Sequence, residues 1–495
     1  MLGAILSYSS IIFNIVAGLL YTPWMIRTIG DDQYALYTLA VSIVNLFLID
    51  FGIGAAVSKF LSNYYAKGQQ QEANRFLGLV YRVFFLISSL IAVCLGVYFL
   101  FFDSIYAALT AEELQTLKRL FLLVATFSVL TFPCTTFNGV LMASEQFIAV
   151  KACNLGQRVC SVGMIVIALL TNGSVYSLVL AHTLSNAAFY LLKYLFIRKN
   201  TSNRADFSCR DGKLAKQLLV FSAWVVLLNL AQRCFFNIMH TIIAAVVSTA
   251  AVTLFSLAAA LEGYVYSLGE AVNGMFLPRI SRILTTERSE EDISNLMCRV
   301  GRFHVYTIGL LFIGFLCVGE QFVLLWMGTG YERVYVCAAL LIFPSLIDVP
   351  QQIAKTALMA KDIVRPQAFI YLVMAAVNVC LSLLLLPTFG VIGAAIAVCI
   401  SYLFRTACFN YLYYKHLHIN LLQYFKATYL RWVPTAVGSL LIGYLIMRFD
   451  VLSGWGGLVA KCVIIGVVYL VLLFLFTFMR EDRTRMLHAL GKKET

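Results

Sequence analysis

Four polar residues interrupt the apolar stretch Val226–Val247, which is long enough to cross a bilayer as an α-helix. They are Asn229, Arg233, Asn237 and His240, and their spacing places them on one helix face. An ionisable group near the bilayer centre costs about 2.5–3.5 kcal/mol unless it meets water or a partner. This face therefore predicts one of two roles. It lines an aqueous cavity, or Arg233 pairs with Glu262 or Glu270 of another span.

Three further apolar segments carry polar faces of the same kind. Their members are Asn154, Gln157, Arg158 and Ser161; Glu262, Tyr266, Glu270 and Asn273; and Ser345, Asp348, Gln351, Gln352 and Lys355. Several such faces are explained together if they line one cavity, because each then reaches water. The candidate binding residues of that cavity are Arg158, Arg233, Arg405, Asn154, Gln157, Asn229, Asn237, His240, Gln351, Lys355 and Lys59.

Acidic residues in the same apolar segments predict a second property. Asp50, Glu262, Glu270 and Asp348 could carry protons or sodium ions, or could only balance the charge of the arginines. Lys59, Lys193 and Lys355 lie toward the ends of their segments, from which a lysine can extend to the interface. No catalytic group or metal ligand set is predicted. The 13 cysteines include no C-x-x-C pair, and the six histidines form no cluster with metal spacing.

The elements that position these residues are predicted to be membrane helices. Of the 495 residues, 61% are hydrophobic and 12% are charged, whereas soluble domains have about 45–50% and about 25%. The first twenty residues lack a basic leader region and a cleavage site, which predicts a retained first span. Fourteen spans are predicted, at 3–27, 33–63, 75–102, 116–143, 149–171, 175–197, 215–246, 249–278, 299–327, 334–360, 365–386, 390–414, 429–448 and 456–479.

The basic residues predict the orientation of these spans. Most of the 37 lysines and arginines fall on one side, which places both termini in the cytoplasm. The exceptions are Arg27, Lys118, Arg119, Arg333, Arg448 and Lys461. The net charge of +13 is thus a topology signal, and without a soluble basic domain it gives no reason to expect nucleic-acid binding.

Two stretches of the first half recur in the second. The segment 29–40, "IGDDQYALYTLA", resembles 247–258, "VSTAAVTLFSLA". The segment 132–147, beginning Phe-Pro and containing Leu-Met-Ala, resembles 343–364 in both features. Each of the two similar halves would contain six spans. Because six is even, both halves would enter the membrane in the same direction, which makes them parallel repeats. The predicted organisation is an N-lobe over 1–199, a cytoplasmic linker over 200–212, a C-lobe over 213–415, and an amphipathic connection, two spans and a cytoplasmic tail over 416–495.

Three motifs carry a family resemblance: "LPTFGVIGAAIAVCISYLFR" at 386–405, "DFGIG" at 50–54 and "LGEAVNGMFLPRISRI" at 268–283. They resemble segments of the polysaccharide flippases, the Wzx-like branch of the multidrug/oligosaccharidyl-lipid/polysaccharide (MOP) superfamily. The resemblance implies an all-α transporter without enzymatic activity or cofactor, with two six-helix lobes of the MATE/MOP type. It implies transport of a polyprenyl-diphosphate-linked oligosaccharide by alternating access, for surface polysaccharides such as O-antigen or capsule. Arginines suit the diphosphate because they can bind two phosphate oxygens at once.

Alternative substrates stay open at the sequence level. Flippases for a peptidoglycan precursor or a teichoic acid unit fit the same number of spans, as does a MATE-like multidrug antiporter. A polymerase or glycosyltransferase is disfavoured because the longest predicted external loop, 103–115, is short. The expected partners are the lipid-linked substrate, membrane lipids, and polysaccharide polymerase and glycosyltransferases. We expect a monomer in the bacterial cytoplasmic (inner) membrane. The driving force stays open at the sequence level, with coupling to H+ or Na+ as one alternative.

Overall fold

The computed structural model describes residues 2–48, 53–171, 173–201, 204–207, 212–273, 276–284, 289–361, 363–448 and 453–477. These residues form helices joined by short turns, which confirms the predicted all-α class. Twelve helices of this part are long and apolar enough to cross a membrane, so the chain is a multi-pass membrane protein. The other two predicted spans, 33–63 and 215–246, also fall on helical segments. The predicted number of about fourteen spans is therefore approximate.

The described residues group into two compact units. Unit 1 comprises Met1–Ser256 and Val364–Ala394, and unit 2 comprises Leu257–Ile363 and Ala395–Thr495. The boundaries predicted for the lobes, the linker and the C-terminal part stay a prediction.

The first seventeen α-helices are divided between the units. Those that end before residue 257 and the last of the seventeen lie in unit 1, those between 277 and 360 lie in unit 2, and the one that begins at Thr249 extends from unit 1 into unit 2. Their bounds are α1 Leu2–Ile29, α2 Asp31–Phe47, α3 Ile53–Ala66, α4 Gln70–Leu100, α5 Phe102–Ile105, α6 Ala111–Thr131, α7 Thr136–Ala143, α8 Phe147–Thr171, α9 Val175–Asn200, α10 Gly212–Val246, α11 Thr249–Asn273, α12 Leu277–Ile283, α13 Ser289–Met327, α14 Glu332–Ile342, α15 Ser345–Asp348, α16 Gln352–Ala360 and α17 Arg365–Phe389. Within unit 1, α10 packs along α17 and α2, and α8 packs between α9 and α1.

The remaining helices belong mainly to unit 2. They are α18 Val391–Leu417, α19 Leu421–Phe425, α20 Val433–Arg448 and α21 Gly454–Leu472, with π-helical turns at Lys426–Leu430 and Leu473–Thr477. The 39-residue α13 lies at the centre of the packing in this unit, because α14, α20 and α21 all pack on it. Val305, Ile308, Trp432 and Tyr469 form part of the buried core at these contacts.

Prolines break one span in each unit. Phe132–Thr135, which contains Pro133, is a 3-10 turn between α6 and α7. In unit 2, Pro344 separates α14 from α15, and a 3-10 turn at Val349–Gln351 leads into α16. Proline lacks the N–H of the helical ladder and its ring collides with the preceding turn, so the helix is interrupted there. The two broken spans contain the two Phe-Pro segments that the sequence predicted to be equivalent.

The starts of α2 and α11 lie in contact within unit 1, and they contain the other pair of similar segments. Thr253 Oγ1 donates to the carbonyl of Asp31 at 2.9 Å, and Thr249 Oγ1 donates to the Asp32 carboxylate at 2.9 Å. Ser256 and Thr38 occupy equivalent positions in the two segments, and their hydroxyls are 3.3 Å apart. These contacts join the two segments whose similarity led to the predicted repeat.

The described part of the predicted linker, residues 204–207, lies against α4. The backbone N–H of Asp206 donates to the carbonyl of Asn74 at 3.0 Å, and that of Arg204 donates to the Asn74 side chain at 2.9 Å. Gly78 permits this contact, because a Cβ at this position would overlap the carbonyl oxygen of Asp206. The linker segment is thus fixed on unit 1 through a glycine on the surface of a membrane helix.

Candidate functional site

Unit 1 contains a cavity of about 830 Å³, called here the polar cavity. Its walls come from α2, α3, the broken α6–α7 span, α9 and α10. Its polar lining residues are Tyr37, Asn45, Ser58, Ser128, Thr131, Thr135, Asn138, His182, Thr183, Asn186, Tyr190 and Arg233. A volume of this order is within the range of about 300–1,000 Å³ that small-molecule sites occupy.

The polar part of this lining is neutral and hydrogen-bonding, with one cation, and apolar side chains such as Val41, Phe127 and Met142 form the rest. Among the described lining residues, Arg233 is the single residue with a permanent charge, and none is a carboxylate. Hydroxyls and amides both donate and accept hydrogen bonds, which suits the hydroxyls of a sugar. A guanidinium matches the paired oxygens of a phosphate. The cavity can therefore accept a polar, anionic head.

The polar face of α9 forms a hydrogen-bonded row at the cavity wall. Gln157 Nε2 of α8 donates to Asn186 Oδ1 at 2.5 Å, and Asn186 Nδ2 lies 3.2 Å from His182 Nε2. The other ring nitrogen, Nδ1 of His182, lies 3.1 Å from the hydroxyl of Ser161. These bonds tie α8 to α9 and fix the orientation of the groups that line the cavity.

Lys193 lies on the same face of α9 and is almost completely buried, with 2% of the residue exposed. Its ammonium donates to Asn138 Oδ1 at 3.0 Å and to Asn154 Oδ1 at 2.8 Å. The side chain therefore does not extend to the interface, although the position of Lys193 toward the end of its segment would allow that. Because Asn138 also lines the cavity, the ammonium holds part of the cavity wall in place.

The other candidate residues of α8 and α10 have varied surroundings. Arg158 is exposed, and its Nη1 is 3.4 Å from the carbonyl oxygen of Ser10 in α1. Asn229 is half-buried one turn before Arg233. Asn237 donates to the carbonyl of Arg233 at 3.1 Å, within its own helix. His240 packs edge-on against Phe255, with 5.5 Å between the ring centres.

Unit 2 holds a buried ion pair. Arg405 Nη2 of α18 lies 2.6 Å from Asp348 Oδ1 at the end of α15, with the two side chains 2% and 8% exposed. The guanidinium also lies over the ring of Tyr402, at 4.5 Å from its centre. The sequence predicted that Arg405 binds substrate and that Asp348 couples ions. The structure places these two residues against each other.

Polar residues of α11 meet the broken span of the same unit. Ser345 Oγ donates to the Glu262 carboxylate at 3.2 Å, and Gln352 Nε2 donates to the hydroxyl of Tyr266 at 2.9 Å. Glu270, two turns beyond Glu262, is exposed. The polar faces predicted for these two segments are therefore in contact with each other at Glu262 and Tyr266.

The remaining candidates are placed as follows. Gln351 is buried, with 1% of the residue exposed. The ammonium of Lys355 lies 5.9 Å from the ring centre of Phe409. Asp50 and the side chain of Lys59 lie outside the described residues. Their roles, like those of all the candidate residues, stay predictions.

Sequence reasoning missed the polar face of α9 as part of a site. His182, Asn186, Tyr190 and Lys193 have the same spacing of four, four and three as the polar residues of α10. The periodicity rule that identified α10 would have identified α9 as well. This face has no arginine, and its lysine, Lys193, is the last residue of the row, so the face is less conspicuous in a membrane span than that of α10.

Comparison with known proteins identifies the family. Residues 2–284, more than half of the chain, match the family described as "Polysaccharide biosynthesis protein". The chain belongs to this family. It is also 22% identical over 495 residues to the uncharacterized membrane protein EpsK of Bacillus subtilis (strain 168), covering 95% of this chain and 94% of EpsK. The resemblance carried by the sequence motifs is confirmed.

Solved structures show the fold of this family member. The inward closed conformation of the lipid II flippase MurJ matches with a TM-score of 0.73 and 14% identity, covering 95% of this chain and 97% of MurJ. The Vibrio cholerae MATE transporter VcmN matches with a TM-score of 0.57 and 13% identity, covering 86% of this chain and 98% of VcmN. The predicted MATE/MOP-like fold is confirmed.

Proposed function

We propose that this protein is a flippase for polyprenyl-diphosphate-linked oligosaccharides. The observation that carries the proposal is the polar cavity, in which hydroxyls and amides surround the single cation Arg233 among the described lining residues. The diphosphate would bind at Arg233, and the sugars would bind the neutral groups of α9 and the broken span. Membership of the polysaccharide biosynthesis family supports a saccharide as the cargo.

The charge of the cavity favours this substrate over a cationic drug. A site for cations needs carboxylates, since an unpaired cation in a membrane interior is costly. The described lining residues contain one arginine and no carboxylate, which is the opposite balance. This argument separates the proposal from a multidrug antiporter, but flippases for other anionic lipid-linked heads have the same requirement.

The proposed mechanism is alternating access with the lipid tail left in the membrane. The head, assembled on the cytoplasmic face, enters the cavity, and the lobes then rearrange to open it on the other side. The polyprenyl tail needs no polar environment and moves through lipid. Glu262, Glu270, Asp348 and Asp50 are the candidates for H+ or Na+ coupling. The protein would act as a monomer in the inner membrane, with cytoplasmic termini, beside glycosyltransferases and a polymerase.

The test is the flipping rate of Arg233 variants in proteoliposomes. The substrate is a polyprenyl-diphosphate oligosaccharide, and a lectin added outside reports the sugars that have crossed. A charge-assisted hydrogen bond contributes about 1.5–3 kcal/mol, so Arg233→Ala should reduce apparent affinity about tenfold to hundredfold. Arg233→Lys should retain part of the affinity because the charge remains without the planar fork.

The matched control is Arg198→Ala, which removes an exposed cation at the end of α9 outside the cavity lining. It should flip at the wild-type rate. If Arg233→Ala reaches the membrane and flips with unchanged affinity, Arg233 does not bind the diphosphate and the proposal loses its main support.

A further inference from the structure

A second cavity, of about 400 Å³, lies between α13 and α21 in unit 2. Its apolar walls come from Phe303, Tyr306 and Leu310 of α13 and from Tyr469, Leu470 and Leu473 at the end of α21. Phe303 and Leu470 are each more than half exposed, so the cavity is an open groove on the membrane-facing side of these helices. It lies in the other unit from the polar cavity and is not needed to explain the proposed function.

Two arginines form one end of this groove. Arg299 is exposed and Arg302 is half-buried, and both line the groove. A spacing of three residues puts their side chains on the same side of α13, with Cβ atoms about 5–6 Å apart. The predicted start of the ninth span is residue 299, which places both charges at the level of the lipid head groups. Basic pockets between membrane helices on the cytoplasmic side are suited to anionic lipid heads.

The length of the groove matches one acyl chain. Its α13 wall extends from Arg299 to Leu310, eleven residues, or about 16 Å at 1.5 Å per residue. One leaflet of a bilayer has about 15 Å of hydrocarbon, half of the roughly 30 Å core. A lipid whose phosphate is at the arginines would therefore extend an acyl chain along the whole groove and end near the bilayer centre.

We propose that this groove binds one anionic phospholipid, with its phosphate at Arg299 and Arg302 and one acyl chain between α13 and α21. The charge pair selects the head group, and the apolar walls hold the chain. The site is separate from the substrate cavity, so its lipid is a structural ligand of α13 and α21 and not the transported molecule.

Trp432 provides a local probe for this lipid. Its indole N–H donates to the hydroxyl of Tyr469, a groove residue, at 2.7 Å. In a variant whose other tryptophans, Trp24, Trp224, Trp326 and Trp455, are replaced by Phe, fluorescence quenching by brominated acyl chains reports occupancy near Trp432. Vesicles of phosphatidylcholine would contain a small fraction of either brominated phosphatidylglycerol or brominated phosphatidylcholine.

Brominated phosphatidylglycerol should quench Trp432 with an apparent selectivity of about 30-fold over brominated phosphatidylcholine, from two basic side chains. Arg299→Gln with Arg302→Gln should remove this selectivity. The control, Arg75→Gln with Arg198→Gln, removes two exposed cations from unit 1 and should keep it. Equal quenching by the two lipids, or selectivity that survives loss of the groove arginines, would overturn the proposal.

A second measurement avoids the tryptophan replacements, which include the buried Trp326. Native mass spectrometry of the protein with all its tryptophans should show one phosphatidylglycerol retained through delipidation. The Arg299→Gln/Arg302→Gln variant should lose it, and the Arg75→Gln/Arg198→Gln variant should retain it. Retention of the lipid by both double variants would contradict the site.

Discussion

The Arg405–Asp348 pair gives the sharpest test of how unit 2 is held together. At a distance of 2.6 Å and an effective dielectric constant of about 20, the attraction is about 6 kcal/mol. Removal of each charge from water costs several kcal/mol, so the net contribution of the pair is small. Removal of one partner is different, because it leaves a buried charge without compensation and costs about 3–5 kcal/mol.

We therefore expect Arg405→Leu and Asp348→Leu each to lower the free energy of unfolding by about 3–5 kcal/mol. The double variant should recover at least about 3 kcal/mol relative to either single variant, because neither member of the pair is then left without the other. The surroundings of Asp348 are a further reason to expect that Arg405→Leu lowers the free energy of unfolding. Its Oδ2 is buried without a hydrogen-bond partner among the described residues.

The assay is unfolding by sodium dodecyl sulfate in dodecylmaltoside micelles, followed by tryptophan fluorescence. The matched control is the Lys118–Asp103 pair, which has a similar distance of 2.8 Å but side chains 29% and 69% exposed. Lys118→Leu should cost less than about 1 kcal/mol, since water screens an exposed pair. A double variant as unstable as the singles would refute the reasoning. A stable double variant that no longer transports would instead show that the pair serves transport as well as stability.

Three further predictions concern packing, topology and coupling. Gly78→Ala should displace the linker and increase its cleavage by protease, whereas Gly96→Ala on the same helix, where a Cβ meets no atom within 4 Å, should not. Reporters placed after Thr495 and after Asp450 should lie on opposite sides of the membrane, and the same side for both would refute the predicted topology. Flipping by the wild type should respond to an imposed pH or sodium gradient, and Glu270→Gln should weaken the response. Indifference of the wild type to both gradients would remove ion coupling.

The helices could be predicted from the sequence because lipid allows few alternatives. A backbone in hydrocarbon must satisfy its hydrogen bonds internally, so an apolar run of spanning length is a helix almost irrespective of its residues. The breaks inside two spans could also be anticipated, since Pro133 and Pro344 follow phenylalanine in both copies of the repeat. The family followed from short sequence motifs.

The site was harder to predict because periodicity defines an angle about a helix axis and not a depth. Arg233 and His240 lie on one face of α10, yet Arg233 lines the cavity and His240 packs against Phe255. They are seven residues, or about 10 Å, apart along the helix. The partner of Arg405 was equally hidden, because Asp348 lies in a different span and no pattern within one helix relates the two.

The Phe-Pro break occurs in both units, but the polar residues that follow it make different contacts in each unit. In unit 1 Pro133 leaves the carbonyl of Val129 without its helical N–H, and the hydroxyl of Ser88 donates to that carbonyl at 2.6 Å. The polar residues that follow, including Asn138, then face the polar cavity.

In unit 2 the residues after Pro344 contact other protein groups instead. Ser345 binds Glu262, Asp348 binds Arg405, and Gln352 binds Tyr266. In both units the residues after the break carry polar side chains, which need water or protein partners within a membrane span. In unit 1 Asn138 both lines the polar cavity and accepts a hydrogen bond from Lys193, whereas the residues named in unit 2 contact other side chains of the protein. On this argument the two copies differ in role through the partners of the break, and the saccharide is expected to bind in unit 1.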